Sequence, residues 1–297
     1  MSLTRSNEPD KTRGRLSTWL ALAAAIAVVG WSSSARAQAE VSSAQARTAQ
    51  YVFVVDDSGS MSKRVGGKPA ADPNRLAVFA VRSTLSMLDD ADEATVVRLN
   101  GPDSGESPPP IEPLADNRSS LERSLALDGP IAAYEGSRTP CATALESVSE
   151  VLNQAYRPNV AQVVMFLTDG ECTGATPNPS SLLGGLDSAE DGLFKFFLIR
   201  FKGRNYTNAL ATLAKQTGGM AIAASADDPT AILKPFASAL SRSQGYEASL
   251  LRPDDNRVAA HSGARRVRLL AVAPDKGKPL DIGLAPARKG ESPKQLG

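Results

Sequence analysis

Asp56, Ser58 and Ser60 stand at alternate positions directly after the apolar run Tyr51–Val55, within Val54-Val55-Asp56-Asp57-Ser58-Gly59-Ser60-Met61. Carboxylate and hydroxyl oxygens are hard donors, and one tight turn can aim several of them at a single ion, with Gly59 easing the bend. Two more oxygen donors stand at comparable junctions: Thr139, just before Pro140 and a helical stretch, and Asp169, which follows the apolar run Val163–Thr168. The chain has one histidine and two cysteines, so a metal site here must use oxygen. Such a donor set suits Mg²⁺ or Mn²⁺, whose octahedral shell is completed by water or by a partner's oxygen. Asp, Ser and Gly also populate ordinary turns. What separates a metal site from a plain turn and cap is the company: a strand before the turn, a Thr-Pro pair, and a second strand ending in Asp-Gly.

These junctions can meet only if the elements before them lie side by side. Tyr51–Val55, Thr95–Leu99, Val163–Thr168, Leu193–Phe201 and Ala221–Ala224 read as strands, several of them continuous β-prone runs of the kind buried on both faces. Between them lie helical stretches. One covers Leu76–Leu88 after an Asp72-Pro73 cap, one covers Arg118–Leu127, and one runs from the Thr139-Pro140 cap to about Ala155. Asn208–Gln216 is closed by Gly218-Gly219, and a last helix starts at Asp228-Pro229 and is kinked or restarted at Pro235. Gly101–Pro113, with five prolines and two glycines, reads as a surface loop with room only for a short edge strand around Ile111–Leu114. This alternation predicts an α/β fold: a doubly wound, mainly parallel sheet flanked by helices, with sites at the carboxyl ends of the strands.

The segment Val54–Met61 resembles the D-x-S-x-S motif of von Willebrand factor type A domains. The resemblance extends to Thr139-Pro140 after Gly136 and to Leu167-Thr168-Asp169-Gly170-Glu171, in the family's order and approximate spacing, and covers residues 50–243. It implies a Rossmann-like domain with a metal-ion-dependent adhesion site. Ser58, Ser60 and Thr139 would ligate the ion directly, and Asp56 and Asp169 would hold it directly or through water. In the family a partner's aspartate or glutamate often fills the open position, so the implied role is metal-dependent protein binding, in adhesion or assembly, without catalysis. Arg138 departs from the pattern, since relatives often carry glycine or another small residue there, and this bears on access to the ion.

Two enzyme readings lack an essential group. The block Asp57-Ser58-Gly59-Ser60 is superficially similar to the Gly-Asp-Ser block of secreted esterases, but such an enzyme needs a histidine base, usually with aspartate three residues earlier. Val258 stands there before His261. A haloacid dehalogenase-like phosphatase would need a second aspartate where Ser58 stands. A scaffold whose metal only staples its loops, and whose contacts run through the basic tail with Arg265-Arg266-Val267-Arg268, remains an alternative.

The ends of the chain differ from its middle. Arg13 and Arg15 precede the apolar run Leu16–Trp31 and then Ala35-Arg36-Ala37, so residues 1–37 read as a signal peptide for export to the periplasm or beyond. The run has 16 residues, against roughly 20 for a bilayer span; retention as an anchor is the alternative. No later segment is apolar for long enough to span a membrane. Residues 38–49 form a polar linker, and residues 244–297 a C-terminal extension with two short strands at Glu247–Leu251 and Val267–Val272, flexible beyond Asp275. Residues 38–244 hold 18 basic and 24 acidic side chains and residues 245–297 ten and six, so nothing points to nucleic acid. Cys141 and Cys172 each follow an expected metal loop. If the loops converge the pair can bridge in an oxidising compartment, and two buried free thiols are the other possibility. Mass spectrometry of exported protein is expected to find Gln38 as the first residue; a mature chain that keeps Leu16 would establish the anchor instead.

Overall fold

The computed structural model describes residues 48–101, 105, 107–134, 136–170, 172–201, 208–225 and 229–244, together with Gly283–Leu284 and Lys294–Gln295. Strand β1 (Ala49–Val55) is buried along its whole length, as the apolar run Tyr51–Val55 requires. A one-turn helix α1 (Gly59–Ser62) follows, then α2 (Leu76–Met87), β2 (Glu93–Arg98), β3 (Glu112–Pro113) and α3 (Leu114–Ser124). After a 3₁₀ turn at Ile131–Ala133 come α4 (Cys141–Gln154), β4 (Ala161–Thr168), α5 (Pro179–Gly184) and α6 (Asp187–Glu190). The series closes with β5 (Phe194–Phe201), α7 (Asn208–Gln216), β6 (Met220–Ala224) and α8 (Pro229–Gln244).

The sheet order is β3-β2-β1-β4-β5-β6, parallel except for the two-residue edge strand β3. Side chains of β1 alternate between two cores. Tyr51, Phe53 and Val55 join Leu76, Val81 and Leu85 of α2 and Ile232 and Phe236 of α8. Val52 and Val54 join Leu145 and Val148 of α4 and Leu210 and Leu213 of α7. Each fully buried Val, Leu or Phe contributes about 1.5 to 3 kcal/mol of burial free energy, so the register of β1 is strongly fixed. The chain leaves β1 for β2 on one side and later returns to β4 on the other. Strand order therefore reverses at β1, and the carboxyl ends of β1 and β4 border the crevice where doubly wound sheets bind ligands.

Several local expectations are corrected. Helix α3 starts at Leu114, four residues before Arg118, because Pro113 (φ −56°) pre-sets the entry and Asp116 lies in the first turn. Helix α8 passes through Pro235 as one element; Ile232, Leu233, Phe236, Ala239 and Leu240 hold its face to the core on both sides of the proline. The sequence pattern assigns no element between Gly170 and Leu193, where α5 and α6 stand; the Asn178 side chain caps α5, accepting from Ser180 N and Ser181 N. Residues 1–47, Glu247–Leu251, Val267–Val272, His261 and Arg265–Arg268 lie outside the described residues. In the C-terminal extension Gly283–Leu284 pairs antiparallel with Lys294–Gln295 (β7 and β8). No helix among the described residues is long and apolar enough to cross a membrane.

Asp72 does not cap α2 from the expected position. The residue ahead of the helix is Arg75, in the left-handed region with φ 56°. The buried Asp72 carboxylate reaches back from four residues upstream: Leu76 N donates to Oδ1 at 2.7 Å and Ala77 N to Oδ2 at 2.8 Å, and the buried Tyr134 hydroxyl donates to Oδ2 at 2.9 Å. Burial pushes this carboxyl up from its ordinary value, and the two backbone donors oppose the shift. Asp72→Ala leaves three buried donors without their acceptor, so urea denaturation is expected to show a loss of about 2 to 4 kcal/mol, with Tyr134→Phe costing about 1 kcal/mol. A loss below that of Tyr134→Phe would contradict the capping role of Asp72.

Candidate metal centre

Asp56 is the first residue beyond β1, and its amide still donates to Leu167 O of β4 at 3.0 Å. Its carboxylate therefore lies on the seam between the two strands. Oδ1 accepts from Ser58 N at 3.0 Å, and Oδ2 from Thr168 Oγ1 at 2.7 Å and Asp169 N at 3.4 Å. Asp169, 2% exposed, immediately follows β4 beside it. Burial first, and the Asp169 carboxylate second, push Asp56 up to about 6, against hydrogen bonds from Ser58 and Thr168 that pull it down. Two carboxylates forced together away from water are an arrangement that a divalent cation relieves.

Ser58 occupies the N-cap position of α1 without making the side-chain capping bond of that position. Its hydroxyl instead lies 3.0 Å from that of Ser60, which is partly exposed. The next residue along from Asp56 has a different fate. Asp57 Oδ2 is paired with Arg98, whose Nε and Nη2 each lie at 3.0 Å, while Oδ1 accepts from Asn100 N and Nδ2 at 2.9 and 2.8 Å. A fully ligated Asp57 is held out of the Asp56 cluster. Arg98 and Asn100, which hold Asp57, are not singled out by the sequence pattern; the only signal for them is their place at and just beyond the end of β2, beside β1.

Gly136 joins the Thr139 loop to this structure. Gly136 N donates to Asp57 O at 2.9 Å, and Gly59 N donates to Gly136 O at 2.7 Å. A β-carbon at Gly136 would lie 2.3 Å from Asn100 Nδ2, so glycine is needed for this close approach. Thr139, 5% exposed, is tied to the Asp169 loop from the other side: its amide donates to Thr173 Oγ1 at 2.9 Å, and Thr173 N donates to Thr139 O at 2.8 Å. Next to these bonds Cys141 and Cys172 form a disulfide with a Cα–Cα distance of 5.4 Å, which decides against free thiols. Helix α4 begins at Cys141 with Pro140 in the N-cap position, so Thr139 stands one residue ahead of the cap instead of providing it. Arg138 is exposed; its amide donates to Asn100 Oδ1 at 3.3 Å, and the guanidinium partner of Asp57 is that of Arg98. Glu171 lies outside the described residues.

The fold thus gathers Asp56, Ser58, Ser60 and Asp169 around one seam, with Thr139 on a loop bound to both flanking segments. Among the described residues no three His, Cys, Asp or Glu side chains gather as a metal-holding group. An ion here would depend on hydroxyls beside two carboxylates, a hard donor set that fits Mg²⁺ or Mn²⁺.

The family model for the von Willebrand factor type A domain matches residues 51–234. The chain belongs to this family. Among solved structures it is similar to a von Willebrand factor type A protein from Catenulispora acidiphila, with 19% identity, 68% of this chain and 44% of that chain covered, and a TM-score of 0.48. It is similar to the pilus adhesin SpaC of Lactobacillus rhamnosus GG, with 15% identity, coverage of 64% and 30%, and a TM-score of 0.45. It also matches proximal thread matrix protein 1 of the mussel byssus with a zinc-occupied MIDAS motif, at 15% identity, coverage of 63% and 46%, and a TM-score of 0.42. The chain spans less than half the length of each of these. Among curated proteins none matches.

In this type A domain the raised Asp56 carboxyl has a measurable consequence. Folded Asp56 keeps its proton up to about pH 6, whereas the unfolded residue releases it near 3.8. Folding of the metal-free protein therefore loses stability as pH rises from about 4 to 6, by at most about 3 kcal/mol, and the whole cost is present above 6. Asp56→Asn removes this titration at a constant cost, because its amide meets donors that the carboxylate accepted. With EDTA present, the stability of the variant relative to wild type is expected to rise between pH 4 and pH 7; a pH-independent difference in urea denaturation would contradict it.

Proposed function

We propose that this type A domain protein is exported and acts, without catalysing a reaction, by gripping another protein through one Mg²⁺ or Mn²⁺ held by Asp56, Ser58, Ser60, Thr139 and Asp169. The observation that carries the reading is the buried Asp56 carboxylate, pushed up to about 6 by burial and Asp169, beside the Ser58–Ser60 hydroxyl contact. The two serines, the threonine and one or both aspartates leave at least one position of an octahedral shell open. Only two of these ligands are anionic and the other three are neutral hydroxyls, so the divalent ion remains electrophilic at the open position and favours an anionic oxygen there. The bound ion would supply a Lewis-acidic attachment point for an aspartate or glutamate of the partner. The chain's own contribution is to hold the donors in place: Thr168 and Ser58 orient Asp56, Arg98 and Asn100 keep Asp57 away, and the disulfide fixes the Thr139 loop.

The reading is tested with affinity capture from native extract. EDTA is expected to abolish capture of the partner and Mg²⁺ to restore it. Calorimetry is expected to show Mg²⁺ affinity reduced most by Asp56→Ala, which removes a formal charge, and Thr139→Ala is expected to weaken capture with an unchanged circular dichroism spectrum. Capture that survives both chelation and Thr139→Ala would leave any ion a structural role and move the contact surface to another part of the chain.

A further inference from the structure

The connection between the metal loop and α2 is built as a rigid projection. Residues 63–69 are all exposed, yet Val65 and Lys68 exchange both backbone bonds, Val65 N to Lys68 O at 3.2 Å and Lys68 N to Val65 O at 3.0 Å. Gly66 and Gly67 fill the two central positions with φ of 57° and 78°, the left-handed pair that a two-residue hairpin turn requires. Both ends of this hairpin are fastened to the candidate centre. Lys63 N donates to Gly59 O at 2.8 Å, and Ala71 N donates at 3.1 Å to the carbonyl of Ser60, whose hydroxyl faces Ser58. Two residues, Pro69 and Ala70, separate Lys68 from Ala71, so the two lie at most about 10 Å apart along extended chain.

The side chains on this projection share one character. Lys63, Arg64 and Lys68 are cationic, and no acidic residue occurs from Gly59 to Ala71. Val65 is 47% exposed, one of two large exposed hydrophobics among the described residues. Across the Ser58–Gly136 bridge, the exposed Arg138 adds a further cation beside Thr139. The rest of the domain opposes this sign, because residues 38–244 carry 18 basic against 24 acidic side chains. Exposed charges act over about 8 Å at physiological salt. The hairpin adjoins Ser60 through the Ala71 N to Ser60 O bond, so a segment whose carboxylate docks at the ion would have its flanking residues within reach of these cations.

We infer that the hairpin Lys63–Lys68 is a second contact for the protein partner, selecting a segment in which further aspartates or glutamates flank the carboxylate that docks at the ion. The inference rests on the metal-dependent docking proposed above. Val65 supplies a small apolar contact between the cations, and the closed turn means that little ordering is left for binding.

Two labelled synthetic peptides test it, one with a central aspartate flanked by glutamates and one with the same aspartate flanked by glutamines. In Mg²⁺ the wild-type protein is expected to prefer the glutamate peptide about tenfold, from several exposed ion pairs acting together, and to lose that preference at high salt. The triple variant Lys63→Ala, Arg64→Ala, Lys68→Ala keeps every backbone bond of the hairpin. It is expected to erase the preference with unchanged Mg²⁺ affinity and circular dichroism. Mg²⁺-dependent binding of both peptides without preference, or a preference that persists in the variant, would overturn the inference and leave the metal reading standing. A preference that is lost in the variant but ignores EDTA would support the hairpin and overturn the metal reading. Failure of both peptides to bind, or displacement of the glutamate peptide by phosphatidylserine vesicles or duplex DNA at comparable charge concentration, would also overturn the inference.

Discussion

Asp56 and Asp169 immediately follow two neighbouring buried strands, and their carboxylates repel one another where bulk water cannot screen them, so the structure around them must supply what solvent would have supplied. Asp56 accepts from Ser58 N, Thr168 Oγ1 and Asp169 N, and even so burial and its neighbour hold it near 6. The parallel pairing of β1 with β4 imposes this position: Val55 is opposite Leu167 in the register, so the residues that follow each strand emerge side by side. Moving the carboxylates apart would mean slipping the register of β1, which would turn its apolar side chains from one core toward the other. The hydrophobic alternation of β1 and the electrostatic tension at its end are therefore one constraint seen at two places.

Adjacent aspartates with opposite roles follow from the same geometry. Asp57 points to the β2 side, where Arg98 and Asn100 ligate both of its oxygens. A carboxylate so fully bonded to a guanidinium and two amide donors has little left to offer an ion. Among the described residues the donors to Asp56 are a hydroxyl and two backbone amides. The chain thus uses one aspartate to fasten the β1 and β2 ends together and leaves the other as a charge that a cation can balance. Asn100 extends the fastening to the Thr139 loop through Arg138 N, which is why Gly136 must pass close to it.

What could be read from the sequence was local. The runs at 51–55, 163–168 and 193–201, the short edge strand near Ile111–Leu114 and the spacing of Asp56, Ser58 and Ser60 all declare themselves within a few residues. The long-range partners did not. Asp72 looks like an ordinary cap until the left-handed Arg75 and the distant Tyr134 hydroxyl are in place. Nothing in Arg98 or Asn100 alone marks them as partners of Asp57, more than 40 residues away. Thr139-Pro140 carries a cap signature, but the Thr173 loop takes the backbone groups of Thr139 and the helix begins beyond it. The pairing of Cys141 with Cys172 depended on the same loop convergence, which only the fold could settle.

That convergence bears on how well such a centre can bind. A site assembled from three loops must order them, and ordering each backbone residue costs about 1 to 2 kcal/mol when it occurs at the moment of binding. Here much of the ordering belongs to folding. The Ser58–Gly136 bridge joins the first loop to the second, and the reciprocal bonds between Thr139 and Thr173, with the disulfide beside them, join the second to the third. A bridge across 31 residues lowers the entropy of the unfolded chain by about 3 to 4 kcal/mol in the chain-entropy model. Its larger effect on the centre is to keep Thr139 and the residues after Asp169 from separating in the folded state. Donors held in advance exchange little order for affinity, so differences in binding at this centre should come from the charge and hydroxyl geometry of the five donors more than from loop flexibility.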